Sequence, residues 1–465
     1  MTFRNGGAVC ALIVLFNVGC GPVVARGRPA VTAPRAGETA GSVGERRVEA
    51  MNDGDPPVDR GSRSHEALAP VGPLGLSDLL AYAEARAPAV HIAQSEARAG
   101  EAEIDAASPL VPYNPELMGR LGGRTIEGTS RFEYRVQLTQ QVQIAGQRAA
   151  RMEAAERRRD STAAGLRATT ASIRFAVHGL YHQVLLRRLQ RLAAEKVARF
   201  ATEVQAITDK RIEAGETSPL RAMVIRAEVA QARQDAIATR LAERETLLTL
   251  KETIGWPADA ELTVSGELPA PSDVPDAEAL IARALAEHPR GRQLEEEVAA
   301  AQARVRLEDR EGWPDPTLGV AFAQESEPGG PAYIWQGILT LPIPIWERNQ
   351  AGRARARADR VRAEANRDAF LRRLGPRVAQ LVARVDAAAE RVHIYGQDIL
   401  PAFEANLAKL QTAYDLGEID VLELTQIRER LLRSQRDALT AMSDYFRAAA
   451  ELEQQAGVAI WAHDR

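Results

Sequence analysis

In the nine-residue stretch Phe132-Glu133-Tyr134-Arg135-Val136-Gln137-Leu138-Thr139-Gln140, apolar and polar side chains alternate strictly from Phe132 to Thr139. Because successive side chains of a β-strand point to opposite faces, the stretch predicts a strand with one apolar and one polar face. About ten residues is also the length of a tilted strand that crosses a membrane. A soluble hairpin packed on helices is the alternative, and one strand alone does not decide between the two.

Three further strands are predicted at Glu116 to Gly123, Thr317 to Gln324 and Tyr333 to Leu341. Four strands are too few to close a membrane barrel, since bacterial barrels begin at about eight strands. An open edge in lipid would leave backbone groups unpaired, at a cost of several kcal/mol each. If these strands lie in a membrane, several chains must therefore share one barrel, and the protein must be an oligomer.

The chain is internally duplicated. Three landmarks occur twice, at spacings of 201, 201 and 202 residues: Pro88 and Pro289, Pro115 and Pro316, Gly215 and Gly417. Near-constant spacing is the signature of structural repeats. We therefore predict two copies, residues 76–266 and 276–465, each with a helix, a strand pair, a long helix and a return helix.

The helices are long enough to build a tube. Arg148 to Glu213 contains no proline and predicts one helix of 66 residues, about 100 Å at roughly 1.5 Å per residue. The return helix, Leu220 to Ile254, covers about half that distance, and we expect a helix over Ala277 to Glu311 to stack end to end with it. A stripe with steps of three and four residues predicts a coiled-coil seam: Leu424, Ile427, Leu431, Ser434, Ala438, Ala441, Tyr445, Ala448 and Leu452. A solid coiled-coil bundle fits this periodicity equally well.

Composition favours this mainly α fold with a small β part. Of 465 residues 26% are charged, the net charge is −4, and aromatic residues make up only 5%. Such a balance favours helices packed side by side and gives no charge excess that would indicate a nucleic-acid partner. Beyond the N-terminus no apolar run is long enough for a membrane-spanning helix, so strands must make any membrane crossing.

The N-terminus reads as an export signal, and residues 1–19 are predicted to be a signal peptide. The sequence Asn17-Val18-Gly19-Cys20 resembles a bacterial lipobox, which predicts a lipid on Cys20. Cleavage after Ala25 is the competing interpretation. By resemblance to such lipoproteins, Gly21 favours the outer membrane. Residues 20–75 are rich in Gly, Pro and charged side chains and are predicted to be a flexible tether.

The two repeats, each with a glycine at its hairpin tip, resemble the TolC-like outer-membrane efflux family. The segment from Leu341 to Gly352, LPIPIWERNQAG, is similar to the heavy-metal efflux (CzcC-like) branch. The resemblance implies a trimer with a twelve-stranded β-barrel above a twelve-helix α-barrel, placed in the outer membrane and extending into the periplasm. It further implies a periplasmic adaptor and a proton-driven inner-membrane pump of the resistance-nodulation-division type.

The resemblance also assigns site residues. Gly215, Glu216, Gly417 and Glu418 match the hairpin tips that dock on the adaptor, and Asp420 and Glu423 match acidic residues that narrow the tunnel mouth. A ring of carboxylates attracts cations. Heavy-metal cations are the expected cargo, and drug efflux and type I protein secretion remain open as alternatives.

The sequence gives little support for a metal site, an enzyme, an adaptor or a scaffold protein. His178 and His182 lie one helical turn apart, a spacing that can hold a metal, but no third ligand is evident, so no metal site is predicted. The sequence has no phosphate-binding glycine loop, nucleophile elbow or cysteine cluster. We therefore predict no enzyme and no cofactor apart from the lipid. An adaptor would carry a single hairpin between β-rich domains, and a soluble coiled-coil scaffold would leave the strands unexplained.

Overall fold

The computed structural model describes residues 72–460 except 127, 216–217, 273–275, 328, 397–404, 407, 411, 415 and 420. The predicted signal peptide, nearly all of the tether, and the candidate residues Cys20, Glu216 and Asp420 lie outside this part. Pro73–Leu74 was expected in the tether but forms strand β1, which pairs in parallel with β4 (Thr263–Val264).

Within the described residues the two repeats show the same order of helices and long strands. The first contains α1 (Leu76–Arg86), α2 (Pro88–Ala107), β2 (Glu116–Ile126), β3 (Thr129–Gln141), α3 (Gln147–Glu213) and α4 (Pro219–Ile254). The second contains α5 (Ala277–Glu287), α6 (Pro289–Glu311), β5 (Thr317–Glu327), β6 (Gly330–Thr340), α7 (Gln350–Gly396) and α8 (Val421–Ala456). The mainly α fold with a small β part is confirmed.

The predicted helix over Ala277 to Glu311 is broken in two. His288 has an extended backbone (ψ 120°) and precedes Pro289, which is the first residue of α6. Proline has no N–H and disfavours helical geometry in the residue before it, so a helix ends there and a new one begins. Ala87 and Pro88 break the first repeat in the same way.

The end-to-end stacking is also different from the prediction. A Cβ added to Gly255, just after α4, would lie 2.6 Å from the carbonyl oxygen of Arg86 and 3.0 Å from Pro88. Helix α4 therefore abuts the start of α2, of its own repeat, rather than the helix that follows it in sequence. In the second repeat a Cβ added to Gly457, just after α8, would lie 2.8 Å from the ring of His288 at the start of α6.

Helix α3 is the centre of the packing. It contacts α2 and α6 on the side of the long strands, and α4 and α8 on the side of the hairpin tips, while α7 packs against α6 and α8. Near the strands the helices thus lie in the order α2–α3–α6–α7. Toward the tips α3 contacts both α4 and α8, and α7 packs against the half of α8 that is farther from the tips. None of the helices in the described part of the chain is both long and apolar enough to cross a membrane.

Candidate functional site

The long strands form one antiparallel sheet in the order β2-β3-β5-β6. Strands β2 and β3 form a hairpin of eleven residue pairs, and β5 and β6 form another of the same length. Strand β3 also pairs with β5, which joins the sheets of the two repeats. The outward edges of β2 and β6 have no strand partner among the described residues. Each edge therefore carries a row of backbone groups available to another chain.

The two faces of this sheet differ in chemistry. Register places the large apolar side chains on one face, and most of them are exposed: Leu117, Leu121, Phe132, Tyr134, Val136, Leu138, Leu318, Val320, Phe322, Tyr333, Trp335 and Leu339. The opposite face carries charge, including the ion pair of Arg135 with Glu325 at 3.2 Å. An exposed apolar patch of this extent marks a surface that contacts lipid or another protein.

At the junction between β6 and α7, the side chain of Asn349 is hydrogen-bonded to Glu308 on α6. Asn349 adopts a left-handed backbone (φ 58°), and its Nδ2 donates to the carbonyl oxygen of Glu308 at 3.0 Å and to its Oε2 at 2.7 Å. A Cβ on Gly352 would lie 2.3 Å from both Asn349 Oδ1 and Glu308 Oε2. Asn349 and Gly352 of the LPIPIWERNQAG segment therefore hold the start of α7 against the end of α6.

Both hairpin tips turn through a left-handed glycine. Gly215 has φ 76° and Gly417 has φ 74°, and the space beside each is open. Glycine adopts this conformation without a steric cost, which is why it suits the end of a helix. Glu418 is exposed at the second tip, and Leu220 and Leu416 are exposed beside the two tips.

The two tips lie side by side. The guanidinium of Arg211, four residues before the first tip glycine, stacks over the ring of Tyr414 at 4.4 Å and donates to its carbonyl oxygen at 3.2 Å. Tyr414 is buried in a cluster that joins both hairpins, with Phe200, Val204, Ile225 and Leu424 among its members. The structure therefore brings together two tips that are 202 residues apart in sequence.

Ion pairs fasten α8 to α4 above the tips. Arg428 pairs with Glu228, and Arg436 pairs with Asp235. Arg428 is buried, and burial lowers the pKa of its guanidinium from the usual value. The seam prediction was wrong at this turn of the helix, because Ile427 is exposed and Arg428 is buried instead. The apolar periodicity of the sequence did not predict that a charged side chain, Arg428, would take the buried position expected for Ile427.

The predicted tunnel-mouth residues are only partly described. Glu423 lies exposed in the first turn of α8, close to the second tip. Its position is compatible with a role at the mouth, which stays a prediction. No group of three or more His, Cys, Asp or Glu side chains among the described residues is arranged to hold a metal.

The two histidines four residues apart have a packing role that sequence did not reveal. His178 Nδ1 lies 2.8 Å from Oε2 of buried Glu453 on α8, and the ring of His182 stacks on Phe446 at 5.2 Å. Glu453 Oε1 also accepts from the backbone N–H of Ile460 at 3.0 Å. These contacts join α3 of the first repeat to α8 of the second.

Comparison with known proteins agrees with this architecture. The family model "Outer membrane efflux protein" matches residues 79–256 and 280–458. Cobalt-zinc-cadmium resistance protein CzcC of Cupriavidus metallidurans is 26% identical over 397 residues, which cover 83% of this chain and 90% of CzcC. Nickel and cobalt resistance protein CnrC of the same organism is 28% identical over 320 residues, covering 65% and 72%. The solved structure of CusC superposes with a TM-score of 0.64 at 16% identity, covering 83% of this chain and 92% of CusC.

Proposed function

Because this chain belongs to the outer membrane efflux protein family, we propose that it conducts heavy-metal cations out of the cell. The chain is an outer-membrane channel subunit of a tripartite efflux system, and it extends into the periplasm. It forms trimers that work with a periplasmic adaptor and an inner-membrane pump of the resistance-nodulation-division type. The predicted family and its heavy-metal branch are confirmed.

The observation that carries the conduit function is the two-faced sheet with both edges open. Its apolar face suits lipid and its charged face suits water. Lipid does not tolerate unpaired backbone edges, so β2 of one subunit must pair with β6 of the next. Three sheets joined in this way enclose a polar path, and the helical part of each subunit continues it toward the periplasm.

Heavy-metal cations are the cargo that the relatives favour. CzcC is a cobalt-zinc-cadmium resistance protein and CnrC a nickel and cobalt resistance protein. The family is one of conduits, and we propose that the chain itself carries out no catalysis, so that the pump supplies both the driving force and much of the selectivity. Acidic side chains at the mouth, with Asp420 and Glu423 as candidates, would raise the local concentration of cations.

Three further assignments belong to the proposal. The tips at Gly215, Glu216, Gly417 and Glu418 dock on the adaptor, which the side-by-side arrangement of the two hairpins and the exposed Leu220 and Leu416 support. Cys20 carries the N-terminal lipid. The protein needs no other cofactor.

Metal accumulation in cells tests the cargo. A strain without the gene is expected to accumulate zinc, cobalt or nickel, and the wild-type chain to restore export. The double variant Asp420→Ala/Glu423→Ala is expected to reduce export and cation selectivity, whereas the matched variant Glu429→Ala/Asp437→Ala, which removes two exposed carboxylates further along α8, is not. Unchanged metal content in the strain without the gene would refute the cargo, and equal behaviour of the two double variants would refute the acidic mouth.

A further inference from the structure

The charged side chains on the polar face of the sheet lie in rows that follow the strand register. Arg120 of β2 is directly opposite Arg135 of β3, so two arginines share one row. The acidic residues Glu133 of β3 and Glu325 of β5 belong to the next row toward the hairpin turns. A basic row and an acidic row therefore lie side by side on this face.

Both acids of that row already have partners other than Arg120. Glu133 pairs with Arg124 at 3.5 Å, and Glu325 pairs with Arg135 at 3.2 Å. Within the described part of the chain, no carboxylate lies within ion-pair distance of Arg120, and its side chain is exposed. The register thus leaves the charge of Arg120 without a counter-charge.

Assembly of the trimer does not supply one. Strand β2 is at the edge of the sheet and pairs with β6 of the next subunit. Strand β6 (Gly330–Thr340) contains no charged residue, so no register of that pairing brings a carboxylate from β6 opposite Arg120. The acid on β2 itself, Glu116, is four residues away, which is about 13 Å along the strand. The charge of Arg120 is therefore uncompensated in the assembled barrel as well.

The stability of the sheet does not account for Arg120. Like charges directly opposite each other on neighbouring strands destabilise the pairing. Arg120 lies opposite Arg135 in this way. A charge that weakens the sheet and points to the water-filled side indicates a role in what passes through the channel.

Three copies of Arg120 lie at one level of the trimeric barrel. Twelve strands about 4.8 Å apart and tilted by about 40° give a backbone radius of roughly 12 Å. Guanidinium groups that point inward therefore lie about 10 Å or less from the axis, which is the Debye length at about 0.1 M salt. Three screened charges at that distance change the ratio of anions to cations on the axis roughly fivefold.

We propose that Arg120 determines ion specificity in the barrel, where a ring of three Arg120 side chains makes the lumen favour small anions over cations. This inference rests on the trimeric channel of the proposed function but not on its metal cargo. Because the carboxylates proposed for the tunnel mouth attract cations, the two ends of the channel carry charges of opposite sign. Divalent cations are therefore not concentrated in the barrel, and anions such as chloride accompany them there.

The reaction of an introduced cysteine with charged reagents measures the potential beside the ring. Met118 lies two residues from Arg120 on the same face of β2 and is 47% exposed, so Met118→Cys places a thiol there. The folded trimer in phosphatidylcholine vesicles is treated with an anionic and a cationic methanethiosulfonate of similar size, and mass spectrometry follows each reaction. The wild-type chain, whose cysteines are Cys10 and Cys20, is the blank.

Adding Arg120→Gln to Met118→Cys is expected to lower the ratio of the anionic rate to the cationic rate roughly fivefold at about 0.1 M salt. Adding Arg120→Lys, which keeps the charge, is expected to leave the ratio as it was. At about 1 M salt, where the Debye length is about 3 Å, the effect of Arg120→Gln is expected to disappear. A difference that persists at high salt would show that charge is not the cause and would overturn the proposal.

The matched control is Arg135→Gln/Glu325→Gln in the same Met118→Cys chain. It removes one positive and one negative charge that pair with each other, so the ratio of rates is expected to stay unchanged. Equal ratios with and without Arg120→Gln, or an equal fall in the control, would also overturn the proposal. No heavy metal takes part in these reactions, so a negative result here leaves the cargo untouched, and a negative metal-accumulation result leaves the ring untouched.

Discussion

The Nδ1 atom of His178 lies 2.8 Å from Oε2 of Glu453, and this contact joins the long helix of the first repeat to the return helix of the second. Glu453 is buried, and its other carboxylate oxygen holds the backbone N–H of Ile460 at 3.0 Å. One side chain therefore ties together α3, α8 and the segment that follows α8.

Replacing this carboxylate should weaken the folded subunit. Glu453→Ala leaves the N–H of Ile460 and the ring of His178 without their acceptor in a buried place, which costs about 1–3 kcal/mol. Denaturant unfolding of the detergent-solubilised protein measures the loss. Glu156→Ala removes an exposed carboxylate from α3 and should change stability by less than about 0.5 kcal/mol. Similar unfolding midpoints for Glu453→Ala and Glu156→Ala would show that the Glu453 contacts make no net contribution to the stability of the folded subunit.

The helix-end glycines should respond unequally to substitution. Gly457→Ala places a methyl group 2.8 Å from the ring of His288 in addition to forcing an unfavourable φ of 68°. Gly215→Ala meets the same unfavourable φ in open space, at a cost of about 1–2 kcal/mol. Thermal unfolding should therefore show a clearly larger loss for Gly457→Ala. The reverse order would contradict the end-to-end stacking of α8 on α6.

The two faces of the sheet should differ in their tolerance of charge. Trp335→Arg places a cation on the apolar face, at a cost of about 2–4 kcal/mol if that residue lies near the middle of the bilayer. Gln336→Arg places the same cation on the charged face of the same strand and should be tolerated. Folding into lipid vesicles, followed by the gel shift of the folded form, compares the two. Equal folding yields would argue that neither face contacts lipid.

Acid should destabilise the contact between α6 and α8 through His288. Burial lowers the pKa of this imidazole, and a weaker hydrogen bond to the backbone of Gln455 acts in the opposite direction. Because the folded pKa lies below the unfolded value of 6.5, stability is present above that value and is lost as pH falls through the folded pKa.

The variant His288→Asn keeps an acceptor for the N–H of Arg290 but cannot titrate. Between pH 7 and pH 5 its unfolding midpoint should fall less than that of the wild type. Parallel curves for the two proteins would exclude His288 as a source of the acid sensitivity.

Most of the element order followed from local pattern. The alternation of apolar and polar residues predicted strand β3. The absence of proline predicted α3, which was expected to have 66 residues and contains 67. The predicted single helix over Ala277 to Glu311 failed at Pro289, because its apolar periodicity continues through a residue that cannot continue the helix. The predicted stacking of that helix on α4 failed because sequence order does not determine which helix end meets which.

Some features of the candidate site could likewise be predicted from the sequence, and others could not. Tip glycines were visible because a hairpin between helices needs a left-handed residue, and Gly215 and Gly417 both have that conformation. The partners of Arg428 and His178 were not visible, since Glu228 lies 200 residues away and Glu453 lies 275 residues away in sequence. Asp420, Glu216 and Cys20 stay predictions.

The sequence by itself determined the duplication, the element types and the two chemically different faces of the sheet, because these depend on periodicity and on the backbone preferences of proline and glycine. Only the tertiary structure decided that α4 abuts α2, that the two tips lie side by side and that α8 is fastened to α4 by ion pairs. Those relationships join residues far apart in the chain, and their energies depend on distance and burial, which no local pattern specifies.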